Sequence, residues 1–437
     1  MRSAAVASAS GQKVQEAPAR IPNLYPSYGL FQAGASAVDL LTLIFIARIL
    51  PTSPSQLSFL DSISTFATLF AAVAFGWLAG RIVPSRPILA ISMVAAALSI
   101  LIFATSSTLW MANALAFMVG LFTALPNSLA PWILSLETPR SKWGEAYGKL
   151  ATAGALGGAI GVAVSFGFLS TAQRWPGLKI SDQSLILLWG VATLVAAAAS
   201  WRATAGSLGQ TARVAPRLLQ ASSKFILNTP RVVRQATEKS RQPSAPRSSV
   251  ASLRDVWVVY TIAPAILFLG LGMSYTGTLL YMFEGMKSPG PLLFGLLLLF
   301  RTSSWLASAI TGGLLNQFTP LRINQAAGVW RILAVTGLSL LFLLPHSLWS
   351  IPVVFALFSI CGAAGGILGI TGVVSVTDTL PKRHHGSAIF LFNGASNAGA
   401  GIGAWTAGII GQELGFTAAL ALSGVAMVFA LWLLHRY

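Results

Sequence analysis

The sequence predicts an all-α integral membrane protein whose twelve transmembrane helices form two pseudo-symmetric six-helix bundles. Three observations carry that expectation. Of 437 residues, 55% are hydrophobic and only 9% are charged; a soluble domain is roughly a quarter charged, so an ordinary soluble enzyme is excluded. The apolar residues gather into twelve stretches near the ~20 residues that a helix needs to cross a bilayer. The last six stretches also repeat features of the first six in the same order.

The expected spans are 28–49, 58–79, 87–106, 109–135, 150–171, 184–201, 256–282, 291–315, 323–345, 349–375, 387–410 and 415–435. Ahead of the first, residues 1–27 include Gln12, Lys13, Gln15, Glu16, Pro18 and Arg20 and lack the apolar core of a cleavable signal sequence, so they read as a disordered tail. Residues 28–201 form the N-terminal bundle and 255–437 the C-terminal one. Between them, residues 202–254 break the rhythm with Ser, Pro, Gln and ten basic residues, as expected of a solvated linker attracted to anionic headgroups.

With the N-terminus inside, 22 of the 28 Lys and Arg fall on the inner side. Arg48, Arg174, Lys179 and Lys287 fall outside, and Arg301 and Arg331 lie within spans. Without the linker the bias is still 12 against 4, and short loops carry the orientation signal. Both termini are therefore expected in the cytoplasm. The net charge of +17, which in a soluble protein would suggest nucleic acid, is orientation signal here, and no nucleic-acid partner is expected. Cys361, the only cysteine, sits in a Gly/Ala run where packing is the expected role. Compact loops without an Asn-x-Ser/Thr sequon fit a bacterial inner membrane.

The repeat is specific. After span two, Gly76, Leu78, Pro84 and Arg86 match Gly312, Leu314, Pro320 and Arg322 after span eight, all 236 residues apart. After span four, Pro139, Gly144 and Ala146 match Pro381, Gly386 and Ala388, and Gly157 and Gly161 match Gly399 and Gly403, all at 242. Three ordered matches point to a duplicated six-helix unit.

Two parallel six-helix halves, a basic linker and inner turns of this form resemble the major facilitator superfamily of secondary transporters. Its signature after span two, Gly-x-Leu-x-Asp-Arg-x-Gly-Arg-Lys, is met by Gly76, Leu78, Arg81 and Arg86. Its acidic position is Gly80 here and Asn316 in the second copy, and its span-four arginine is replaced by Ala116. The glycines of the span-five antiporter signature appear as Gly154, Gly157, Gly158 and Gly161, without the proline. The resemblance implies alternating access between two rocking halves, with Gly76, Gly80, Arg81, Arg86, Gly312 and Arg322 at the inner gate.

In such a fold, solute and coupling ion bind near the midplane between the halves. A charge there costs roughly 2.5–3.5 kcal/mol on insertion scales, so each needs a reason. Three charges lie well inside the expected spans. Asp39 is placed near mid-span one, where a carboxylate in a rocking cavity can take up and release a proton. The competing reading is an Asp that packs helices. Arg301, in span eight beside Thr302, Ser303 and Ser304, has three readings: facing Asp39, binding an anionic solute, or capping backbone carbonyls. Arg331, in peripheral span nine, is expected to reach the inner surface with its long side chain.

Asn393 and Asn397 stand one turn apart in span eleven, where they bind solute or hydrogen-bond between helices. Tyr275 and Thr276 in span seven, and Asn127 between Pro126 and Pro131 in span four, are further cavity-wall candidates. Arg48 and Glu284, at equivalent repeat positions, are an outer-gate pair or two solvated charges. The glycine stripes 154, 157, 158, 161 and 399, 401, 403 allow close backbone approach, here read as the sliding surfaces between halves. His384 and His385 lack the spacing of a metal site, and no phosphate-binding loop is present, so neither metal nor nucleotide cofactor is expected.

The function expected is that of a monomeric secondary transporter, not an enzyme. Proton-coupled export of a hydrophobic or amphipathic solute comes first, with Asp39 carrying the proton and Arg301, Asn397, Asn393, Tyr275 and Asn127 contacting the solute. Proton-coupled uptake of an organic anion is the alternative. A reading of another class is a non-transporting assembly factor or sensor with a transporter fold, suggested by the altered signatures at Gly80 and Ala116.

Overall fold

The computed structural model describes residues 24–49, 53–79, 86–138, 142–174, 182–202, 261–286, 290–343, 350–379 and 385–436. Twelve long helices account for almost all of them: α1 (Leu24–Ile49), α2 (Pro54–Ala79), α3 (Arg86–Phe103), α4 (Leu109–Glu137), α5 (Trp143–Arg174), α6 (Asp182–Arg202), α7 (Ala263–Leu280), α8 (Gly290–Leu314), α9 (Pro320–Leu341), α10 (Ser350–Thr379), α11 (His385–Glu413) and α12 (Phe416–Arg436). A π turn, Tyr281–Gly285, prolongs α7. Among the described residues, eight helices are long and apolar enough to cross a membrane by length and composition alone. Those falling short include α1 with Gln32 and Asp39 and α11 with Asn393 and Asn397. Polar groups in a membrane helix are tolerated where they face a cavity or a partner helix.

Several helices overrun their apolar windows, because hydropathy marks the bilayer-embedded part and a helix continues wherever its polar residues find partners. The first turns of α5 are an example. Glu145 and Lys149 pair at 2.6 Å across one turn, and Trp143 Nε1 donates to the Thr138 carbonyl at 3.0 Å. At the start of the chain, α1 begins at Leu24, inside the stretch expected to be tail. The rest of that tail and linker residues 203–254 lie outside the described residues. Gly415, with φ 88°, supplies the left-handed residue that turns α11 into α12.

The helix packing repeats between halves. In the first half α1 packs on α5 and α6, α4 on α2 and α3, and α3 on α6; in the second, α7 packs on α11 and α12, α10 on α8 and α9, and α9 on α12. Shifting each partner by six helices maps one set onto the other, which is the architecture that the duplicated motifs imply. The peripheral helices expose rows of large apolar side chains, including Leu187, Val191 and Val195 on α6, Trp330 and Leu333 on α9, and Val425, Val428 and Phe429 on α12. Soluble monomers do not carry apolar surface on this scale; a lipid-facing belt does.

Most glycines of the stripes act differently from the expectation. A Cβ on Gly157 would collide with the Gly29 backbone and one on Gly161 with Ala33; in the second half, Gly399 meets Ala265 and Gly403 meets Leu269. These glycines therefore seat α1 on α5 and α7 on α11 inside each half. The contacts between halves use Gly144 and Gly148 of α5 against Gly312 of α8, and Gly394, Gly401 and Gly408 of α11 against Ala72, Thr65 and Ser58 of α2, so of the stripes Gly401, and Gly158 beside the Arg301 stem, do face the other half.

Arg331 also corrects its expectation. Its side chain is 0% exposed, and Nη1 donates to the Cys361 carbonyl on α10 at 2.7 Å. A glycine at 365 leaves room for the guanidinium, so the charge is held between α9 and α10 instead of reaching a surface.

Candidate transport site

The halves meet along α2 with α11 and α5 with α8. They also meet at the end of the bundle where α1 begins, through α4 with α11 and α5 with α10. There Asn393 Nδ2 donates to Ser128 Oγ at 3.1 Å, and Trp132 meets Phe390 edge to face at 6.3 Å. The Trp132 ring also fills the space beside Gly386 that any Cβ would need, and His385 meets Trp143 across the halves at 4.8 Å.

Above that closed end lies a charged cavity. Asp39 of α1 and Asp61 of α2 line it together with Thr42, Ser64 and the apolar Val38, Leu60, Phe103, Ala116 and Val119. Arg301 of α8 places Nη2 3.7 Å from Asp39 Oδ2, with side chains 30% and 61% exposed respectively. This pair joins the two halves, which is the first of the three arrangements open to Arg301. Gly158 of α5 is what lets Ser36 and the arginine stem lie close to that helix. From α7, Thr276 Oγ1 donates to Asp61 Oδ2 at 2.9 Å, a second link between halves. Tyr275 packs on Phe300 at 5.3 Å and Phe358 at 5.9 Å, with its phenol in electrostatic range of Arg301, Asp61 and Asp39.

Toward the closed end, Asn127 Oδ1 accepts from Tyr28 Oη at 3.2 Å and from Gln32 Nε2, and Gln32 Nε2 also donates to Tyr28 Oη at 2.8 Å. Asn397 is half-buried one turn beyond Asn393 on α11. Asp39, Arg301, Tyr275 and Thr276 thus share one region, Asn127 sits in a polar cluster of its own, and Asn393 is committed to the contact with Ser128. Replacing Asn393 with alanine is expected to loosen this end. One interhelical hydrogen bond in a membrane averages ~0.6 kcal/mol, about a threefold population shift, seen as faster amide exchange in 128–137 and 385–393.

The expected gate residues divide. Gly312 lies in the contact with α5, and Arg322 is exposed at the start of α9. Glu284 is half-buried in the π turn. Gly80 and Arg81 lie outside the described residues, as do the side-chain surroundings of Gly76, Arg86 and Arg48.

Three participants were absent from the sequence reading: Asp61, Gln32 and Tyr28. Asp61 fell near the edge of an apolar window that opened at Ser58; α2 begins at Pro54, which puts the carboxylate ~10 Å below the helix end at 1.5 Å per residue. The run of hydroxyls after it, Ser62, Ser64 and Thr65, was the available signal.

The family model for the Major Facilitator Superfamily matches residues 24–359 and 330–437. The chain belongs to that superfamily and is an integral membrane protein with the fold of its secondary transporters. Among solved structures, it is similar to the human organic anion transporter MFSD10 (15% identity, 94% of this chain and 99% of that one, TM-score 0.63). It is also similar to the proton:xylose symporter XylE bound to 6-bromo-6-deoxy-D-glucose (11% identity, 95% and 94%, TM-score 0.65). Comparison with curated protein sequences finds no match.

Proposed function

We propose that this chain exports an amphipathic small molecule in exchange for protons by alternating access, and that Asp39 carries the proton. The observation that carries the proposal is the Asp39–Arg301 pair spanning the two halves in a water-accessible cavity. Protonating Asp39 removes the attraction between α1 and α8, so one chemical event at the cavity changes the energy of one half relative to the other. That is the coupling an alternating-access cycle requires. Because Asp39 already neutralises Arg301, the cavity offers no uncompensated cation to an anionic solute, which favours export of an amphipathic compound over uptake of an organic anion.

The Lys and Arg bias of the loops leads us to place the end where α1 begins, and both termini, in the cytoplasm, and the membrane proposed is a bacterial inner membrane. In that orientation the described state is closed to the cytoplasm. Tyr275 and Asn397 line the solute path with Arg301. Asn393 and Asn127 lie toward its closed end, and we assign the inner gate to the signature residues Gly76, Gly80, Arg81, Arg86, Gly312 and Arg322. Arg48 and Glu284 flank the outer mouth.

Purified protein in liposomes tests this with an imposed pH gradient and a panel of neutral, cationic and anionic amphipathic dyes. Exchange moves a dye toward the acidic compartment and symport toward the alkaline one. Movement toward the alkaline side overturns the proposal, and movement of no dye favours the assembly-factor reading.

A further inference from the structure

The charge balance of the cavity narrows the solute, given the exchange reading above. The ionisable groups in range of Asp61 are Asp39 from α1 and the Tyr275 phenol from α7, and Arg301 from α8 joins them through its pair with Asp39. On α4 the lining residues are Ala116 and Val119, and α11 has no ionisable residue between His385 and Glu413. Arg301 and Asp39 cancel. The direct partner of Asp61 is the Thr276 hydroxyl, a neutral donor with a single proton to give, while a carboxylate has about four acceptor sites. The trio of full charges therefore sums to one negative charge, with acceptor capacity left on Asp61 in a half-buried setting. An unmatched charge at this depth is costly until a cation joins it.

We propose that Asp61 binds the cationic group of a monovalent organic cation, and that the net charge of Asp39, Arg301 and Asp61 decides when it does. With Asp39 ionised the trio is at −1, and the cation brings the site to neutrality. With Asp39 protonated the trio is already neutral, a bound cation would leave it at +1, and the cation is released. One proton enters for each cation that leaves. A calcium-like ion would require six to eight oxygen ligands, whereas one carboxylate, one hydroxyl and the neighbouring Tyr275 ring suit an ammonium or phosphonium group with apolar substituents.

The test titrates the purified protein in detergent at pH 8 with tetraphenylphosphonium and its isosteric anion tetraphenylborate, following thermal stabilisation. Stabilisation by the phosphonium and not by the borate is expected. Asp61→Asn, which sets the trio to zero, weakens phosphonium binding about tenfold or more. Arg301→Gln, which sets it to −2, tightens binding, a gain that misfolding cannot produce. Lowering the pH to 6 weakens wild-type binding. The assignment is overturned if Asp61→Asn binds within twofold of wild type, if the borate binds more tightly, or if no cation from tetraethylammonium to tetraphenylphosphonium stabilises the protein. Loss of phosphonium binding in Asp61→Asn without any dye transport would uphold the site and remove the exchange reading. Dye movement toward the acidic side with no cation selectivity would do the reverse.

Discussion

Asp39→Asn protein is expected to fold at wild-type yield and to lose its response to a pH gradient. The asparagine keeps the shape of the side chain and cannot ionise. If each solute leaves against one proton, a gradient of one pH unit supplies about 1.4 kcal/mol, enough for a roughly tenfold solute gradient. In the variant, accumulation driven by the pH gradient falls to unity, and because the trio is then fixed at zero charge, downhill exchange of labelled for unlabelled solute persists only at solute concentrations raised about tenfold or more. Stability should change little, because Asp39 is 61% exposed and Arg301 30% exposed, so water can solvate the arginine once its partner is neutral. A variant that still accumulates solute with an unchanged pH profile would remove Asp39 from the coupling step.

Gly161→Val is expected to be strongly damaging to the scaffold. The added carbons would enter the space held by the Ala33 backbone, and a backbone inside a helix pair cannot yield as a flexible side chain does. Overpacking of this kind costs about 1–3 kcal/mol and sometimes more, read as a lower melting temperature and an aggregated fraction on size exclusion. Gly167, on the same helix, has nothing within 4 Å of its would-be Cβ, so Gly167→Val is the matched control and should behave as wild type. Equal loss in both would show that α5 tolerates no valine for reasons unrelated to α1.

Much of this was legible in the chain because a bilayer imposes a simple code. Apolar length gave the spans, and recurring Gly, Pro and Arg at constant offsets gave the twofold repeat that the packing reproduces. Asp39 and Arg301 stood out because charges inside apolar runs are rare. What stayed hidden depends on neighbours distant in sequence. Thr276 reaches Asp61 from the other half of the chain, and no periodicity within α2 announces it. The depth of Arg331 depends on a carbonyl of α10 and the glycine beside it. Gly157 and Gly161 show small-residue spacing, but spacing alone does not say whether the helix received belongs to the same half or the opposite one.

The lone buried cysteine has a practical consequence. Cys361 is sealed beneath Arg331 in the second half, so the natural chain presents an almost blank surface to thiol reagents. Cysteines introduced at Ser128 and Asn393, whose side chains touch across the halves, would be its only readily oxidised pair. A bond between them would form only while that end is shut. Oxidation would then stop the cycle and reduction would restart it, turning a static contact into a reversible brake with which to time the motion.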